Sequence, residues 1–477
     1  MCACDGIVAT LMGVLRENRE NVPPPGLLAF FLRAVLQFPP GTPVSCALAD
    51  GMIAEIDEQL SLQLSAILHH DDFRKLETSW RSLKFLVERI DFRQNIVLEY
   101  LSVSKNDLLS DFDDTPKITL SGFYQQVYTA EYGQFGGHPV GAIIANYELD
   151  SGPADIRLLS HVAAVAAMAH APFIAGVDKR FFGLSSWDQF SGIRDFRVLF
   201  EMPNYAQWRS FRESDDARYV ALVMPKFLFR LPYGPRTLPV ESFSFQETQE
   251  NTDDLCWGNA AFALADRLAD SFARYRWCVN IVGPDGGGVV ENLPLYAFHS
   301  GNQYLGGEKI PTQILLSERR EFELSEEGFV GLTMRKGMNN AVFFSAASCQ
   351  IARSQTREPV SRETDVSWVL GVQLPYTMIM NRLAHYLKVL QRENIGLWKT
   401  RQSIETELNK WLNQYVTEMD NPDPATRCRR PLRHVELIVA EIPNNPSWYA
   451  ITIKARPHFK FMGANFTLSL TGKLDRE

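Results

Sequence analysis

The sequence lacks an apolar run long enough to cross a membrane, which takes about 20 residues in a helix. Its most apolar stretch, residues 26–38, is 13 residues long, contains Arg33 and has prolines on both sides. The N-terminus also lacks the basic segment that begins a secretory signal peptide. These absences predict a cytoplasmic protein without membrane insertion, and they favour an amphipathic helix at residues 26–38 that packs on a partner or on the core.

An excess of positive charge is missing as well. The chain of 477 residues has 48 Lys and Arg against 56 Asp and Glu, which gives a formal net charge of -8. General nucleic-acid binding needs a basic face that displaces counterions from the phosphates, so this balance argues against a nucleic-acid partner. The seven cysteines are scattered from Cys2 to Cys428 without metal-ligand spacing, which is typical of a reducing compartment.

The stretch "IVGPDGGGVVENLP", residues 281–294, has four glycines within six residues and suggests a phosphate site. A phosphate-binding loop would need a Lys-Ser or Lys-Thr pair after its last glycine, but Gly288 is followed by two valines. The dinucleotide fingerprint G-x-G-x-x-G is missing too. Because Pro-Asp-Gly is typical of a turn, we predict a turn between a β-like run, residues 277–282, and a short apolar pair.

Motifs for catalysis and for metal binding are missing from the rest of the chain. No G-x-S-x-G nucleophile elbow occurs, and "SVSK", with Ser102 and Lys105, lacks the companion motifs of enzymes that use this pattern. His161 and His170 are nine residues apart, not the three or four that place two imidazoles on one helix face. His385 is predicted to be a core residue. The sequence therefore predicts no catalytic residue, no cofactor and no metal.

Clusters of acidic residues are predicted to be ordinary surface features. "DFDDTP", residues 111–116, lacks the glycine and the final Glu of a calcium loop and predicts the acidic end of a helix. The pairs Asp215–Asp216 and Glu326–Glu327 are predicted to lie in charged turns that water reaches.

The residues that are present predict a large folded protein, because 45% are hydrophobic and 22% are charged. Apolar residues recur at helical spacing in residues 50–89. From residue 95 onward, strand-like runs such as 95–104 and 140–149 alternate with helices. A helix followed by a strand is predicted within residues 155–176, and the same pattern recurs within residues 257–283. This alternation predicts an α/β or mixed α+β fold in which helices cover a sheet.

The C-terminal part is predicted to hold a helix pair followed by β-strands. The first helix has Met380, Leu383, Leu387 and Leu390 on one side. The strands are predicted at residues 434–442, 448–459 and 465–474. The chain is thus predicted to divide into four parts: an N-terminal helical segment (1–58), a main domain (59–352), a linker or exposed loop (353–367) and a C-terminal domain with a terminal strand (368–477).

Several long stretches, taken together and in order, resemble the large sheath subunit of the bacterial type VI secretion system, the TssC or VipB family. The resemblance runs from about residue 52 to the C-terminus. The stretches are "TAEYGQFGGHPVGAIIANY", "HAPFIAG", "WRSFRESDDARYVAL", "WGNAAFALADRLADSFARYRWC", "PTQILLSERREFELSEEGFVGLTMRKG", "NRLAHYLKVLQRENIG" and "RPHFKFMGANFTLSLTGKLD".

This resemblance implies a contractile, tail-sheath-like structural protein and not an enzyme. The large subunit of the family pairs with a small subunit, TssB or VipA, and the pairs polymerise into a helical tube around an inner tube of Hcp rings. The sheath assembles in the cytoplasm on a membrane-anchored baseplate. Its contraction propels the inner tube and spike out of the cell, and the AAA+ unfoldase ClpV then recycles the subunits.

The last predicted strand is a candidate for contact between subunits. Phe466, Leu468 and Leu470 alternate with hydroxyl-bearing residues, so the strand has one apolar face. A strand added to a neighbour's sheet would link subunits through main-chain hydrogen bonds. The alternative is that the strand pairs within its own domain.

An apolar stripe near the N-terminus is a candidate for recognition by the unfoldase. The stripe consists of Ile7, Val8, Leu11 and Leu15. The resemblance implies that an N-terminal helix of the large subunit is what the unfoldase binds after contraction. Residues 18–49 depart from the expected continuous acidic helix, since they contain "VPPPG" and "FPPGTP". A helix packed on the small subunit is the alternative.

A basic cluster near the C-terminus, "RCRRPLR", is a candidate for contact with the inner tube or with a neighbouring subunit. Its members are Arg427, Arg429, Arg430 and Arg433. The alternative is a solvated face.

Two other functions stay open. A sheath protein from a phage-like contractile particle would build its tube without a small partner. An enzyme using Ser102 and Lys105, or a metal, would need a pocket of converging polar groups.

Overall fold

The computed structural model describes residues 46–249, 252–297, 309–351, 371–393, 401–419, 422–442, 445–458 and 468–472. They fall into two compact units. The first comprises the described residues of Met1–Lys75 and Leu231–Leu255, and the second comprises those of Leu76–Arg230 and Cys256–Glu477.

The main helices are α1 (Cys46–Leu68), α2 (Asp71–Arg89), α3 (Lys105–Asp113), α4 (Pro153–Ala169), α5 (Phe196–Glu201), α6 (Ala206–Glu213), α7 (Ala260–Tyr275), α8 (Glu318–Glu326), α9 (Leu374–Glu393), α10 (Arg401–Leu412) and α11 (Pro424–Arg429). The strands are β1 (Ile143–Leu149), β2 (Phe173–Val177), β3 (Val220–Met224), β4 (Phe227–Leu228), β5 (Trp257–Gly258), β6 (Val289–Val290), β7 (Tyr296–Ala297), β8 (Lys309–Ile310), β9 (Phe329–Met334), β10 (Ala341–Phe343), β11 (Leu432–Ile442), β12 (Asn445–Pro457) and β13 (Leu468–Gly472). The predicted mixed fold of helices and sheets is confirmed.

The centre of the second unit is a six-stranded sheet in the order β1-β2-β3-β9-β10-β6. The first four strands are parallel, and β10 is antiparallel to both of its neighbours. Helical connections join the parallel strands, as parallel pairing requires. Successive residues point to opposite faces, so Phe173 and Leu222 lie in the aromatic-rich core on one side. Ile174 and Val223 lie in the core on the other side, which includes α7.

Asn259 joins α7 to the edge of this sheet. Its side-chain oxygen accepts a hydrogen bond from the main chain of Ala261 at 2.9 Å and thereby caps the helix. Its amide nitrogen donates to the carbonyl oxygen of Tyr147 at 3.0 Å, where the pairing of β1 with β2 is irregular. Gly176 leaves room for this contact, because an added Cβ would lie 2.6 Å from the Asn259 oxygen. One polar side chain therefore starts a helix and fills a gap in the sheet.

The glycine-rich stretch is a turn, as predicted. The Gly283 main chain donates to the Phe343 carbonyl oxygen at 2.7 Å, and the Phe343 main chain donates to Gly288 at 3.0 Å. Gly287 has a φ of +88°, and an added Cβ would lie 2.4 Å from the Asn280 carbonyl oxygen. The glycines thus let the chain reverse tightly beside β10.

Two predicted strands are wrong. Residues 95–104, predicted as a strand-like run, form no ladder, although the Tyr147 hydroxyl donates to the Val103 carbonyl oxygen at 2.8 Å. Residues 277–282 also form no ladder. Their alternation is real, since Trp277, Val279 and Ile281 are all buried. The period of two therefore reports which side chains face the core, and it does not report strand pairing.

The C-terminal part of the second unit is the predicted helix pair and sheet. The helices are α9 and α10, and β11, β12 and β13 form an antiparallel sheet in that order. Met380, Leu383 and Leu387 of α9 pack with this sheet, and Leu390 packs against the same core. The first turns of α9 contribute Leu374 to the core of the central sheet. One helix therefore belongs to both cores.

Candidate assembly surfaces

Some of the residues that the sequence predicts to contact partner proteins lie outside the described residues. This holds for Ile7, Val8, Leu11, Leu15, Phe466 and the linker 353–367. Their proposed roles stay predictions.

The described part of the tail strand pairs within its own chain. In the register of β13 on β12, Leu470 is opposite Ile453 and Leu468 is opposite Ala455. Since β13 is the last strand of its sheet, its outer edge has no partner strand among the described residues. Internal pairing and addition to another subunit's sheet are compatible, because a strand has two edges.

The four arginines of the basic cluster fall into two kinds. Arg429 and Arg430 are exposed, whereas Arg427 and Arg433 are half-buried. The half-buried pair faces His458, whose Nε2 lies 2.7 Å from the Thr417 carbonyl oxygen. Burial lowers the pKa of His458, and the charges of Arg433 and Arg427 lower this pKa further. Arg429 and Arg430 are therefore the members of the cluster that water reaches most freely.

Helix α2 has an exposed apolar stripe that the sequence analysis missed. Leu76, Trp80 and Val87 follow one another at helical spacing within the second unit, and Trp80 is 62% exposed. The spacing was visible in the sequence, but it does not distinguish a core face from a face that awaits a partner. Large apolar side chains exposed in a contiguous row mark interaction sites.

The opposite side of α2 is anchored in the second unit. The Glu77 carboxylate accepts hydrogen bonds from Arg230 at 2.6 Å and from Arg81 at 2.8 Å. Two turns later, Phe85 lies 5.2 Å from Phe227, measured between ring centres. These contacts hold one side of α2 in place and leave the side with the apolar stripe exposed.

A buried ion pair fixes the point where the chain leaves the central sheet. Arg212 of α6 contacts Glu327 at 2.5 Å, and it donates to the carbonyl oxygens of Glu326 at 2.8 Å and Cys349 at 3.2 Å. The Arg212 carbonyl oxygen in turn accepts from the main chain of Ile351 at 2.9 Å. Glu327 is buried, so its predicted exposure to water was wrong. The side chain is removed from water because this arginine neutralises it.

The second unit also contains a pair of histidines in an aromatic setting. His385, predicted to be a core residue, is half-buried, with Nε2 2.9 Å from the Ala169 carbonyl oxygen. Its ring centre lies 6.3 Å from that of His170, whose Nδ1 is 3.3 Å from the Tyr219 hydroxyl. Burial lowers the pKa of both imidazoles to about 4. The nearby charge of Lys388 lowers the pKa of His170 further.

The side chains that were candidates for catalysis or metal binding have the following surroundings. Lys105 pairs with Asp155 at 2.8 Å, while Ser102 is exposed. Burial raises the pKa of the Cys256 and Cys349 thiols to about 12, so they are poor nucleophiles at neutral pH. Within the described ranges, no group of three or more His, Cys, Asp or Glu side chains is placed to hold a metal ion. The helices in those ranges also lack the combination of length and apolarity that a membrane span requires.

Comparisons with known proteins match both parts of the chain. Residues 50–350 match the VipB model, described as the EvpB/VC_A0108 tail sheath N-terminal domain, and residues 363–474 match its tail sheath gpW/gp25-like domain. The chain is 37% identical over 437 residues to the type VI secretion system sheath protein TssC1 of Pseudomonas aeruginosa, which covers 89% of this chain and 85% of that protein.

Two solved structures, an anti-feeding prophage baseplate and a sheath tail protein, also align with this chain. A chain of the anti-feeding prophage baseplate aligns with a TM-score of 0.34 and 9% identity, covering 80% of this chain and 81% of that one. The sheath tail protein of Listeria innocua aligns with a TM-score of 0.33 and 10% identity, covering 68% of this chain and 55% of that one.

We predict that Arg212→Met lowers the free energy of unfolding by about 3–5 kcal/mol, because it leaves the Glu327 carboxylate buried without its partner. Urea denaturation measures this loss. The exposed pair of Arg197 and Glu201, 3.3 Å apart, supplies the control, and Arg197→Met should change the free energy by less than about 1 kcal/mol. Equal effects of the two substitutions would contradict a structural role for the buried pair.

We also predict that stability falls between pH 7 and pH 5. The unfolded histidines take up protons below pH about 6.5, whereas folded His170 and His385 resist protonation down to about 4. Acid therefore favours the unfolded chain, by about 1–2 kcal/mol per histidine at pH 5. Replacing both residues by Gln should remove most of this pH dependence in urea denaturation, and His138→Gln, at an exposed position, should not. An unchanged pH dependence in the double variant would contradict the assignment.

Proposed function

Because the chain belongs to the VipB family of type VI secretion sheath proteins, we propose that it is the large subunit of a contractile sheath that assembles with a small subunit and with copies of itself. The membership bears out the resemblance seen in the sequence. The observation that carries the proposal is 37% identity to a sheath protein over 89% of the chain. The matches to both family models favour this function over the sheath of a phage-like particle built from a single protein.

The proposed role is mechanical, and it includes no chemical reaction. In this role the chain surrounds an inner Hcp tube in the bacterial cytoplasm, assembles on a baseplate and is recycled by the unfoldase ClpV after contraction. The stripe of Ile7, Val8, Leu11 and Leu15 is proposed as the unfoldase contact. The division at residues 353–367 is proposed as the linker between a main and a C-terminal sheath domain.

We assign the stripe on α2 to the small subunit. From Leu76 to Val87 the stripe rises about 16 Å, at 1.5 Å per residue, which matches an apolar helix of about 11 residues in a partner. Trp80 is the most exposed member, and an aromatic residue at the centre of a contact typically supplies much of its binding energy.

Contacts between successive large subunits are assigned to the C-terminal sheet. A helical tube needs a surface on one copy that meets a different surface on the next. The outer edge of β13, with Leu468 and Leu470, offers main-chain groups for strand addition. Arg429 and Arg430 are exposed at the end of α11 and suit an acidic surface of the inner tube or of a neighbour.

The test of this function is co-expression with the small subunit and negative-stain microscopy. Wild-type protein should form tubes. Trp80→Asp should weaken binding of the small subunit at least about 30-fold, since an aromatic anchor contributes about 2 kcal/mol or more, and tubes should disappear. Trp80→Phe keeps an apolar ring and should keep the tubes.

Two results would contradict these assignments separately. Tubes formed normally by Trp80→Asp would show that the α2 stripe does not bind the small subunit. A wild-type pair that never forms tubes, under conditions where both chains are folded, would contradict the sheath function itself.

A further inference from the structure

A loop at residues 133–138 of the second unit holds an aromatic ring in water. Phe135 is 85% exposed, the largest exposed fraction among the large apolar side chains of the described residues. Burial of a phenylalanine side chain is favourable, so a ring left in water contributes nothing to the stability of its own chain. A large exposed aromatic side chain of this kind is typical of the anchor of a contact between proteins.

Hydrogen bonds hold the loop in one shape. The Glu131 carboxylate accepts a hydrogen bond from the main chain of His138 at 2.8 Å. The Gln134 carbonyl oxygen accepts another from the main chain of Gly137 at 3.3 Å. Gly136 has a φ of +84°, and an added Cβ at Gly137 would overlap the Glu131 carbonyl oxygen. The chain therefore reverses at the two glycines, and the main chain fixes where the ring is placed.

The loop extends from a packed helical base. The rings of Tyr124, Tyr128 and Tyr132 follow one another with ring centres 4.8 and 5.1 Å apart. Tyr124 belongs to the aromatic-rich core on one side of the central sheet. The main chain of Gly133 donates to the Tyr128 carbonyl oxygen at 2.7 Å, which joins the loop to this base. The exposed ring is thus attached to a well-packed part of the second unit.

The surface around the ring is almost free of charge. Residues 118–147 are 30 positions with one charged residue, Glu131, although 22% of the whole chain is charged. The Glu131 carboxylate is already used inside the loop. The exposed polar side chains next to the ring in the sequence are uncharged, and they are Gln125, Gln126, Thr129 and Gln134. Because the centre of a protein interface is depleted of charge, this surface suits an uncharged, apolar pocket on a partner.

We propose that Phe135 anchors a contact between two copies of this chain, in which the ring of one copy fills an apolar pocket on the next. The proposal rests on the proposed function, in which copies of the chain polymerise. A helical polymer needs a surface on one copy that meets a different surface on the next, and a single projecting ring satisfies this requirement.

The position of the loop favours a second copy over the small subunit. The α2 stripe, which is assigned to the small subunit, belongs to a helix whose Phe85 packs on the core that includes α7. Phe123 and Val127, which precede the loop, lie in the core on the other side of the central sheet. Trp80 and Phe135 therefore project from opposite sides of the sheet. One copy can bind the small subunit on one side and a neighbouring copy on the other.

Photo-cross-linking identifies the partner directly. A photo-reactive benzophenone amino acid takes the place of Phe135 in the full chain, which is co-expressed with the small subunit. Irradiation should give a product with twice the mass of this chain, which is 54.1 kDa. The same amino acid in place of Phe322, a 41% exposed ring on α8, is the control and should give little of this product. A product that joins this chain to the small subunit, or no product at all, would overturn the proposal.

Phe135→Asp tests the energetic role of the ring. The concentration needed for tube formation should rise at least about 30-fold, as expected for the loss of an aromatic anchor, while binding of the small subunit is unchanged. Because the ring is exposed, the variant should unfold in urea like the wild type. Normal tubes, or loss of small-subunit binding, would each count against a contact between copies.

Gly137→Ala keeps the ring but displaces the loop, so it should also weaken tube formation. Its control is Gly141→Ala, where an added Cβ has nothing within 4 Å and tubes should form normally. Equal effects of the two substitutions would contradict the role of the loop shape. A wild-type pair without tubes would contradict the sheath function, whereas the cross-link between two copies reports the Phe135 contact in the same sample with or without tubes. The failure of the function and the failure of the contact are therefore distinguishable.

Discussion

The parallel strands β1, β2, β3 and β9 have apolar side chains on both faces, and both faces must be kept from water. Helices α4 and α7 lie on opposite sides of the sheet for this reason, and the aromatic layer around Phe181 adds to one side. In that layer Phe181 lies 5.0 Å from Trp208 and 5.3 Å from Phe329, measured between ring centres. Once the sheet is covered, the apolar side of α2 is left over, and this is a surface for which a partner has to be found.

Two features hold the parts of the second unit together. Helix α9 contributes side chains to the cores of both sheets, so that the C-terminal sheet cannot move without disturbing the central one. The buried Arg212 side chain donates to Glu327, Glu326 and Cys349, and its carbonyl oxygen accepts from the main chain of Ile351. This arginine therefore fixes the chain at residue 351 against α6.

Periodicity in the sequence predicted the helices α1, α2, α4, α7 and α9 and the strands β1, β2, β11, β12 and β13, because burial of one face leaves a repeat that can be counted. It failed at residues 95–104, which are exposed or half-buried and form no strand ladder, and at residues 277–282, where buried and half-buried side chains alternate without strand pairing. It also failed at Glu327, since nothing local announces that an arginine 115 residues away will neutralise it. The spacing in residues 50–89 predicted a helix but did not reveal the exposed face of α2, because a helix that awaits a partner has the same spacing as a helix that already has one.

We propose that this chain is incomplete by itself and exposes an apolar helical face for a smaller companion. Sedimentation velocity of the purified chain, with and without the small subunit, tests this claim most directly. We predict that the chain alone aggregates and that the mixture sediments as assemblies far larger than a one-to-one pair. A chain that stays a soluble monomer in the presence of the small subunit would contradict the account.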